Sequence, residues 1–268
     1  MKKLAFAAAA LAAGVAVADV VSSDIVGYNT VTIDKQYAIL AVNFEDVATG
    51  AMAINEAIPY TVGMTTGSSA STADNIQIMQ DDGTYKVYYL SNGKVGKKTY
   101  AETVGKWVDQ DASTVVADAT IQSGTAFWYV SPNATTTPYS ISVAGKVLAT
   151  TSETKDISQT YMLVASPYPL EIPLNDGVVI DEGATTGSSA STADNIQIMQ
   201  DDGTYKVYYL SNGKVGKKTY AETVGKWVDQ DASTVPATAT FPVGKGAWFV
   251  SQKASARLKF VNPTATVE

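Results

Sequence analysis

A long internal repeat is the feature that most constrains what this chain can fold into. Residues 65–115 recur without a single change as residues 185–235, an offset of 120 positions. Similarity continues beyond the identical block, because Trp128 and Trp248 keep the same spacing. A repeat of about 120 residues has the size of a domain and not of a solenoid unit. The chain is therefore predicted to form two tandem domains of one fold.

Composition and periodicity favour strands over helices in both copies. Only 17% of the residues are charged, and the chain contains 15 tyrosines, a balance that suits pleated, half-buried surfaces. Alternating apolar residues flank the turn Asp81-Asp82-Gly83, which is a strong hairpin signal. Further strands are predicted over 24–33, 38–44, 106–108, 125–131 and 139–147, and at most one helical turn over 52–58. The predicted class is all-β: two tandem antiparallel β-sandwich or barrel-like domains of the same fold, preceded by a signal peptide.

The N-terminus has the pattern of a secretory signal peptide. Lys2 and Lys3 precede an apolar, alanine-rich run, and small residues at Ala16 and Ala18 suit cleavage before Asp19. The run is shorter than the roughly 20 residues of a membrane-spanning helix, and no membrane span is expected. We expect export to the cell surface or the extracellular space, with the periplasm as the alternative. The predicted division is 1–18 for the signal peptide, 19–140 for the first β-domain and 141–268 for the second.

The chain contains no histidine and no cysteine, which removes many kinds of site. His-based triads, Cys nucleophiles, His/Cys zinc sites and disulfides are excluded. A carboxylate pair remains as an acid–base route, but most acids stand in turns and not in apolar runs that would raise their pKa. No catalytic, cofactor or metal site is predicted, and the protein is not expected to be an enzyme. A net charge of −7 without a basic arm argues against nucleic acid as a partner.

One acidic turn and one basic loop could still carry a ligand. Asp109, Asp111 and Ser113 place oxygen atoms as at the start of a calcium loop, but the glycine and the final acid of such a loop are missing. A polar turn is the preferred interpretation, as it is for the copy at Asp229, Asp231 and Ser233. A solvated hairpin is preferred for the basic loop, with contact to an anionic glycan or an acidic neighbouring subunit as the alternative. The lysines of that loop and its copy are Lys94, Lys97, Lys98, Lys106, Lys214, Lys217, Lys218 and Lys226.

Aromatic residues of the identical block are candidates for sugar binding. Tyr88, Tyr89 and Trp107 could stack on sugar rings through their π-faces. In a β-domain without disulfides, the same side chains are needed first for the core. Core packing is therefore the preferred interpretation of these residues and their copies.

Several motifs of the mature chain resemble a family. They are VGYNTVTI at 26–33, NIQI at 75–78, YKVYYL at 85–90 and GTAFW at 124–128. Together with the signal peptide, they resemble uncharacterised secreted tandem β-repeat proteins of Gram-negative bacteria. The resemblance covers most of the mature chain and implies export and a β-fold. It assigns no site residue and no activity.

These patterns lead to an expected function and to two expectations about packing. We expect an exported, non-catalytic structural protein of the cell surface or extracellular matrix that assembles with itself through β-strand contacts. The alternative is a bivalent module with two equivalent sites for an anionic or neutral surface glycan. Residues 24–33 or 258–267 are predicted to pair between subunits, because terminal segments are easily released. Such head-to-tail contacts are expected to give a homo-oligomer, filament or array. Trp128 and Trp248 are predicted to face the core, with Phe127 on the opposite face, because both tryptophans are retained between the copies.

Overall fold

The computed structural model describes residues 25–264, so the predicted signal peptide lies outside the described residues. Within this range the regular structure is almost entirely β-strand, and the strands form several antiparallel sheets. Helix α1 (Ile54–Ala57) and helix α2 (Leu174–Gly177) have four residues each. The predicted all-β class is confirmed.

The strands divide between an N-terminal half, residues 25–146, and a C-terminal half, residues 147–264. The strands of the N-terminal half are β1 (Val26–Ile33), β2 (Tyr37–Val42), β3 (Ala51–Ala53), β4 (Asn75–Met79), β5 (Tyr85–Leu90), β6 (Lys94–Val95), β7 (Lys98–Thr99), β8 (Trp107–Asp109), β9 (Thr120–Gln122), β10 (Thr125–Val130) and β11 (Tyr139–Lys146). Those of the C-terminal half are β12 (Ser152–Ile157), β13 (Tyr161–Val164), β14 (Ile172–Pro173), β15 (Val178–Glu182), β16 (Asn195–Met199), β17 (Tyr205–Leu210), β18 (Lys214–Val215), β19 (Lys218–Thr219), β20 (Trp227–Asp229), β21 (Thr240–Phe241), β22 (Ala247–Val250) and β23 (Ala256–Val261). Short 3₁₀ turns occupy Ala101–Thr103 and Ala221–Thr223.

Each half contains a five-stranded sheet with an equivalent strand order. The order is β2-β10-β4-β5-β8 in the N-terminal half and β13-β22-β16-β17-β20 in the C-terminal half. The identical block supplies the hairpin β4–β5, and its turn is made by a glycine in the left-handed region, Gly83 at φ 82°. The Oδ1 of Asp82 accepts a hydrogen bond from the backbone N–H of Thr84 at 2.9 Å. The predicted hairpin is confirmed.

A second layer packs on one face of each five-stranded sheet and encloses a core. This layer is built from β1, β11, β3 and β9 in the N-terminal half, and from β12, β23, β15, β14 and β21 in the C-terminal half. Trp107 is fully buried in the first core, and its Nε1 donates a hydrogen bond to the carbonyl oxygen of Ile58 at 2.5 Å. The copy, Trp227, donates to the carbonyl oxygen of Val178 at 2.6 Å. Each half is therefore sandwich-like.

The prediction that Trp128 and Trp248 face the core is wrong for both residues, which are only partly buried and lie outside the two cores. Phe127 and Tyr129 are fully buried in the core, whereas Trp128 is only half-buried and points away from it. The Trp128 ring meets the Trp248 ring edge-on, with centroids 6.4 Å apart. Each copy therefore contributes the same residue to the contact between the halves.

The core tolerates the change from Phe127 to a smaller residue because the volume is supplied elsewhere. Ala247 stands at the position of Phe127 and is also fully buried. Phe241 stands at the position of Ile121, and Phe260 stands at the position of Val143. The two phenylalanine rings pack edge-on, with centroids 5.4 Å apart. Cores accept such compensating changes when total volume is kept.

The two five-stranded sheets pack against each other through their outer faces. Small and aliphatic side chains line this contact, with Ile39 and Ala126 on one side and Leu163 on the other. The backbone also crosses, since the N–H of Gly246 donates to the carbonyl oxygen of Ile39 at 3.0 Å. Asn43, fully buried, donates to the carbonyl oxygen of Ser166 at 2.5 Å. The halves are thus joined by apolar packing and by hydrogen bonds to the backbone.

Strand β11 crosses the predicted boundary between the two domains. It pairs with β1 along its whole length, from Tyr139 to Lys146. A boundary between residues 140 and 141 would cut this strand. A division after Lys146 keeps the strand whole.

Candidate assembly edge

The sheet formed by β1 and β11 is the candidate functional site. The two strands pair antiparallel, from Val26 opposite Lys146 to Ile33 opposite Tyr139. Side chains alternate across the sheet, so Ile141 is buried in the core while its neighbours face outward. The outward side chains of β11 that lie next to the free side are small and exposed: Ser140, Ser142 and Ala144.

The hydrogen bonds of Lys146 show which way the backbone groups of β11 point. Its N–H donates to the carbonyl oxygen of Glu45 at 2.8 Å, and its own carbonyl accepts from the N–H of Glu45 at 2.9 Å. Glu45 lies on the side of β11 opposite to β1. Because these directions alternate along a strand, Ala144, Ser142 and Ser140 also point their N–H and C=O groups away from β1.

This side of β11 is an open edge. Among residues 25–264, no backbone group pairs with the outward N–H and C=O of Ser140, Ser142 or Ala144. Unpaired groups on a sheet edge can accept a strand from another chain. We call residues 140–145 of β11 the open edge.

The corresponding edge in the C-terminal half is covered. Strand β23 is the counterpart of β11, and it lies between β12 and β15, paired antiparallel with both. The prediction that residues 258–267 pair between subunits is therefore wrong for the described part, Leu258–Val261, which has no free side. The other predicted segment, residues 24–33, pairs within the chain with β11, and residue 24 lies outside the described range.

A proline stands in the N-terminal half at a position where β15 pairs in the C-terminal half. The N–H of Asn262 donates to the carbonyl oxygen of Thr151 at 2.9 Å, on the β12 side of β23. Because these directions alternate along a strand, Lys259, three residues earlier, directs its backbone groups to the other side, toward Val179 of β15. The repeat offset places Pro59 at the position of Val179. Proline has no N–H to give to the ladder. The segment around Pro59 accordingly forms no strand.

Charge distinguishes the two sheets as well. In the C-terminal half, Arg257 of β23 pairs with Asp181 at 3.1 Å and with Glu182 at 2.6 Å on β15. Strand β12 carries Glu153, Lys155 and Asp156. Strands β1 and β11 contain no charged residue before Lys146. Charges commonly prevent edge pairing, and this protection is missing at the open edge.

The acidic turn that resembles a calcium loop is occupied by protein groups. The Oδ2 of Asp109 lies 2.7 Å from the Nζ of Lys86, and its Oδ1 accepts from the N–H of Asp111 at 2.9 Å. Desolvation raises the pKa of Asp109, but Lys86 and the Asp111 N–H together bring it below its usual value. The copy at Asp229 has the same 2.7 Å contact to Lys206. Within the described range, no three His, Cys, Asp or Glu residues are grouped to hold a metal ion.

The lysines of the basic loop are exposed, whereas the aromatic candidates are buried. The lysines of the β6–β7 hairpin are exposed, as a solvated loop requires. Tyr88, Tyr89 and Trp107 are 8%, 1% and 0% exposed, and their copies are similarly buried. These aromatic rings therefore offer no face to a sugar.

Sequence reasoning missed a buried polar cluster around Asp74. This carboxylate is fully buried and accepts hydrogen bonds from the hydroxyls of Tyr129 at 2.9 Å, Ser131 at 2.8 Å and Tyr139. Desolvation raises the pKa of Asp74, and the three hydroxyls offset it in part. Desolvation also raises the pKa of Tyr129 and Tyr139. The cluster ties β11 to the five-stranded sheet.

A signal for this cluster exists in the comparison of the two copies. The second copy has Phe249 and Ala256 where the first has Tyr129 and Tyr139. Two hydroxyl groups near an otherwise identical aspartate are thus specific to the N-terminal half. This marks β11 as different from β23 in its anchoring.

No family model, curated protein sequence or solved structure matches this chain. Between residues 25 and 264, no helix is both long and apolar enough to cross a membrane.

Proposed function

We propose that this protein is an exported, non-catalytic structural protein of the cell surface or extracellular matrix that assembles with copies of itself through β-strand contacts. The observation that carries the proposal is the open edge of β11, which is unpaired among the described residues and uncharged. The same position in the C-terminal half is covered by β15. An added strand would complete the N-terminal sheet in the same way.

The alternative of a glycan-binding module has less support. Its predicted aromatic platform is buried in both copies. Assembly needs only backbone groups, which the open edge presents along three alternate residues. The buried cluster around Asp74 supports this role, because it anchors β11 from the core side.

A charged substitution on the open edge tests the proposal. Ser142→Lys should prevent strand addition, because a charged side chain on an edge strand, and lysine above all, hinders pairing with another strand. Light scattering after gel filtration should give assemblies larger than the 28.2 kDa chain for the wild type and a monomer for the variant. Thr32→Lys is the matched control, since Thr32 is exposed on the same sheet but lies on β1.

Two results would contradict the proposal. The first is a wild-type protein that stays monomeric at the highest soluble concentration. The second is a Ser142→Lys variant that assembles as the wild type does while remaining folded by circular dichroism.

A further inference from the structure

The open edge has defined ends. Proline at position 138 cannot donate to a ladder, so pairing stops at that end. At the other end, Glu45 already occupies the backbone groups of Lys146. An added strand can therefore reach only the outward groups of Ser140, Ser142 and Ala144.

The C-terminal half shows what kind of strand fits such an edge. Strand β15 covers β23 in the antiparallel direction. An antiparallel pair of two identical strands is related by a twofold axis, so both copies use the same residues. The three outward residues of β11 are evenly spaced around Ser142, which makes the edge complementary to itself.

The spacing fixes the register of such a pair. Ser142 of one copy would face Ser142 of the second copy, and Ser140 would face Ala144 of the second copy. With the symmetry-related pair of Ala144 and Ser140, this makes three pairs, and each exchanges two hydrogen bonds. All the outward groups of the open edge are then satisfied.

Side chains are compatible with the same register. The outward residues are serine and alanine, which can lie opposite each other without steric conflict. On the core side, Ile141 would lie opposite Val143 of the second copy, and both are buried residues. A slip of one residue would place buried positions on the solvent face.

The free side of β1 is a less suitable partner. It borders a groove of about 330 Å³ whose walls include Met199 and Lys245 of the C-terminal half. A strand entering there must fit between two halves of the molecule. The open edge of β11 has only small side chains on its outward face.

We infer that two copies of this chain form a twofold dimer by antiparallel pairing of their β11 strands, centred on Ser142. The inference rests on the proposed function and names the partner strand and the symmetry. The product is a four-stranded sheet, β1-β11-β11-β1, that runs across both copies. Closure around a twofold axis makes a dimer the basic unit of any larger assembly.

Single cysteine variants test the register, because the chain contains no cysteine. In Ser142→Cys the two sulfur-bearing residues would have Cα atoms about 5.5 Å apart, within the range of roughly 4.4–6.8 Å for a disulfide. In Ser140→Cys the two positions would be about 13 Å apart, four residues along the strand. Under mild oxidation, Ser142→Cys should give at least tenfold more cross-linked dimer on a denaturing gel than Ser140→Cys.

A mixed experiment covers the case in which Ser142→Cys does not fold. Ser140→Cys and Ala144→Cys, carrying different tags, should cross-link to each other when mixed and not with themselves. Assembly that persists without these cross-links would overturn the inferred register and leave the proposed function standing. A wild type that is monomeric at all concentrations would overturn both, and would fit an edge covered by residues of its own chain.

Discussion

At the scale of single residues, the identical block shows how surroundings change the behaviour of one side chain. Asp74 is solvated by three hydroxyls, whereas its copy Asp194 accepts from the backbone N–H groups of Gln252 at 2.8 Å and Thr185 at 2.6 Å. Desolvation raises the pKa of both carboxyls. A raised pKa favours the protonated form in the fold. The associated stability is therefore fully present below the unfolded pKa of about 4 and is lost as pH rises through the folded value.

Replacing Tyr139 by Phe should make this pH dependence steeper. The variant removes a donor to Asp74, and a hydrogen bond to a charged group contributes about 1.5–3 kcal/mol. The free energy of unfolding should fall by about 2 kcal/mol at neutral pH and by less at about pH 3, where Asp74 is protonated in the fold. Urea unfolding at both pH values measures the difference.

The control for this variant is Tyr168→Phe. Tyr168 shares a hydrogen bond of 3.0 Å with Thr150, a neutral partner. Removing this hydrogen bond should lower the free energy of unfolding by a similar amount at both pH values. If Tyr139→Phe also costs the same at both, the carboxylate of Asp74 does not depend on that hydroxyl.

At the scale of elements, the halves differ in strand β15, which has no counterpart beside β11 among the described residues. Strand β15 pairs with β23, whereas the segment at Pro59 forms no ladder with β11. Gly63 of that segment lies close to the start of β11, at Tyr139. At the start of the two segments, Ile58 and Val178 each accept a hydrogen bond from the buried tryptophan of their half. We expect the missing N–H at Pro59 to be the difference that keeps the edge of β11 unpaired.

Replacing Pro59 by Val should close the open edge from within the chain. Valine restores the N–H and has a high strand propensity, so residues 58–62 can pair with β11 as β15 pairs with β23. Assembly should be lost and the chain should run as a monomer in gel filtration with light scattering. Val179→Pro is the reciprocal variant, and it should expose the edge of β23 and increase self-association. Retained assembly in Pro59→Val would show that the missing N–H is not what keeps the edge free.

The strands and hairpins were largely predictable from the sequence, because alternation and turn residues are local. The strands predicted over 125–131 and 139–147 became β10 and β11 with nearly the same ends. The face of Trp128 was not predictable, since a retained residue can serve either a core or a contact between halves. The open edge was also hidden, because it depends on which distant strand fails to pair with β11.

At the scale of the whole molecule, the two halves are in close contact at Gly246. A Cβ atom on Gly246 would lie 2.6 Å from the Cβ of Ala126 and 2.8 Å from a methyl carbon of Ile39. The backbone of one half therefore touches the side chains of the other directly. Packing at this position couples the stability of the two halves.

Replacing Gly246 by Val should force the halves apart. Overpacking of this kind costs about 1–3 kcal/mol, and calorimetry should show a lower melting temperature and a broader or divided transition. Lys245→Ala is the control, because it removes only a pair with Asp201, which is 94% exposed. That change should alter the free energy of unfolding by less than about 0.5 kcal/mol. A Gly246→Val variant as stable as the control would mean that the sheets separate freely.

The identical block also leaves the folding chain with a choice between two equal partners. Strand β4 has the same residues as β16, so it could pair with β17 as well as with β5. The difference lies in loop closure: five residues, Gln80–Thr84, separate β4 from β5, against about 125 residues between β4 and β17. The longer closure costs about 3 kcal/mol more in chain entropy. The short Asp-Asp-Gly turn therefore does more than reverse the chain, since its brevity selects the partner that side chains cannot distinguish.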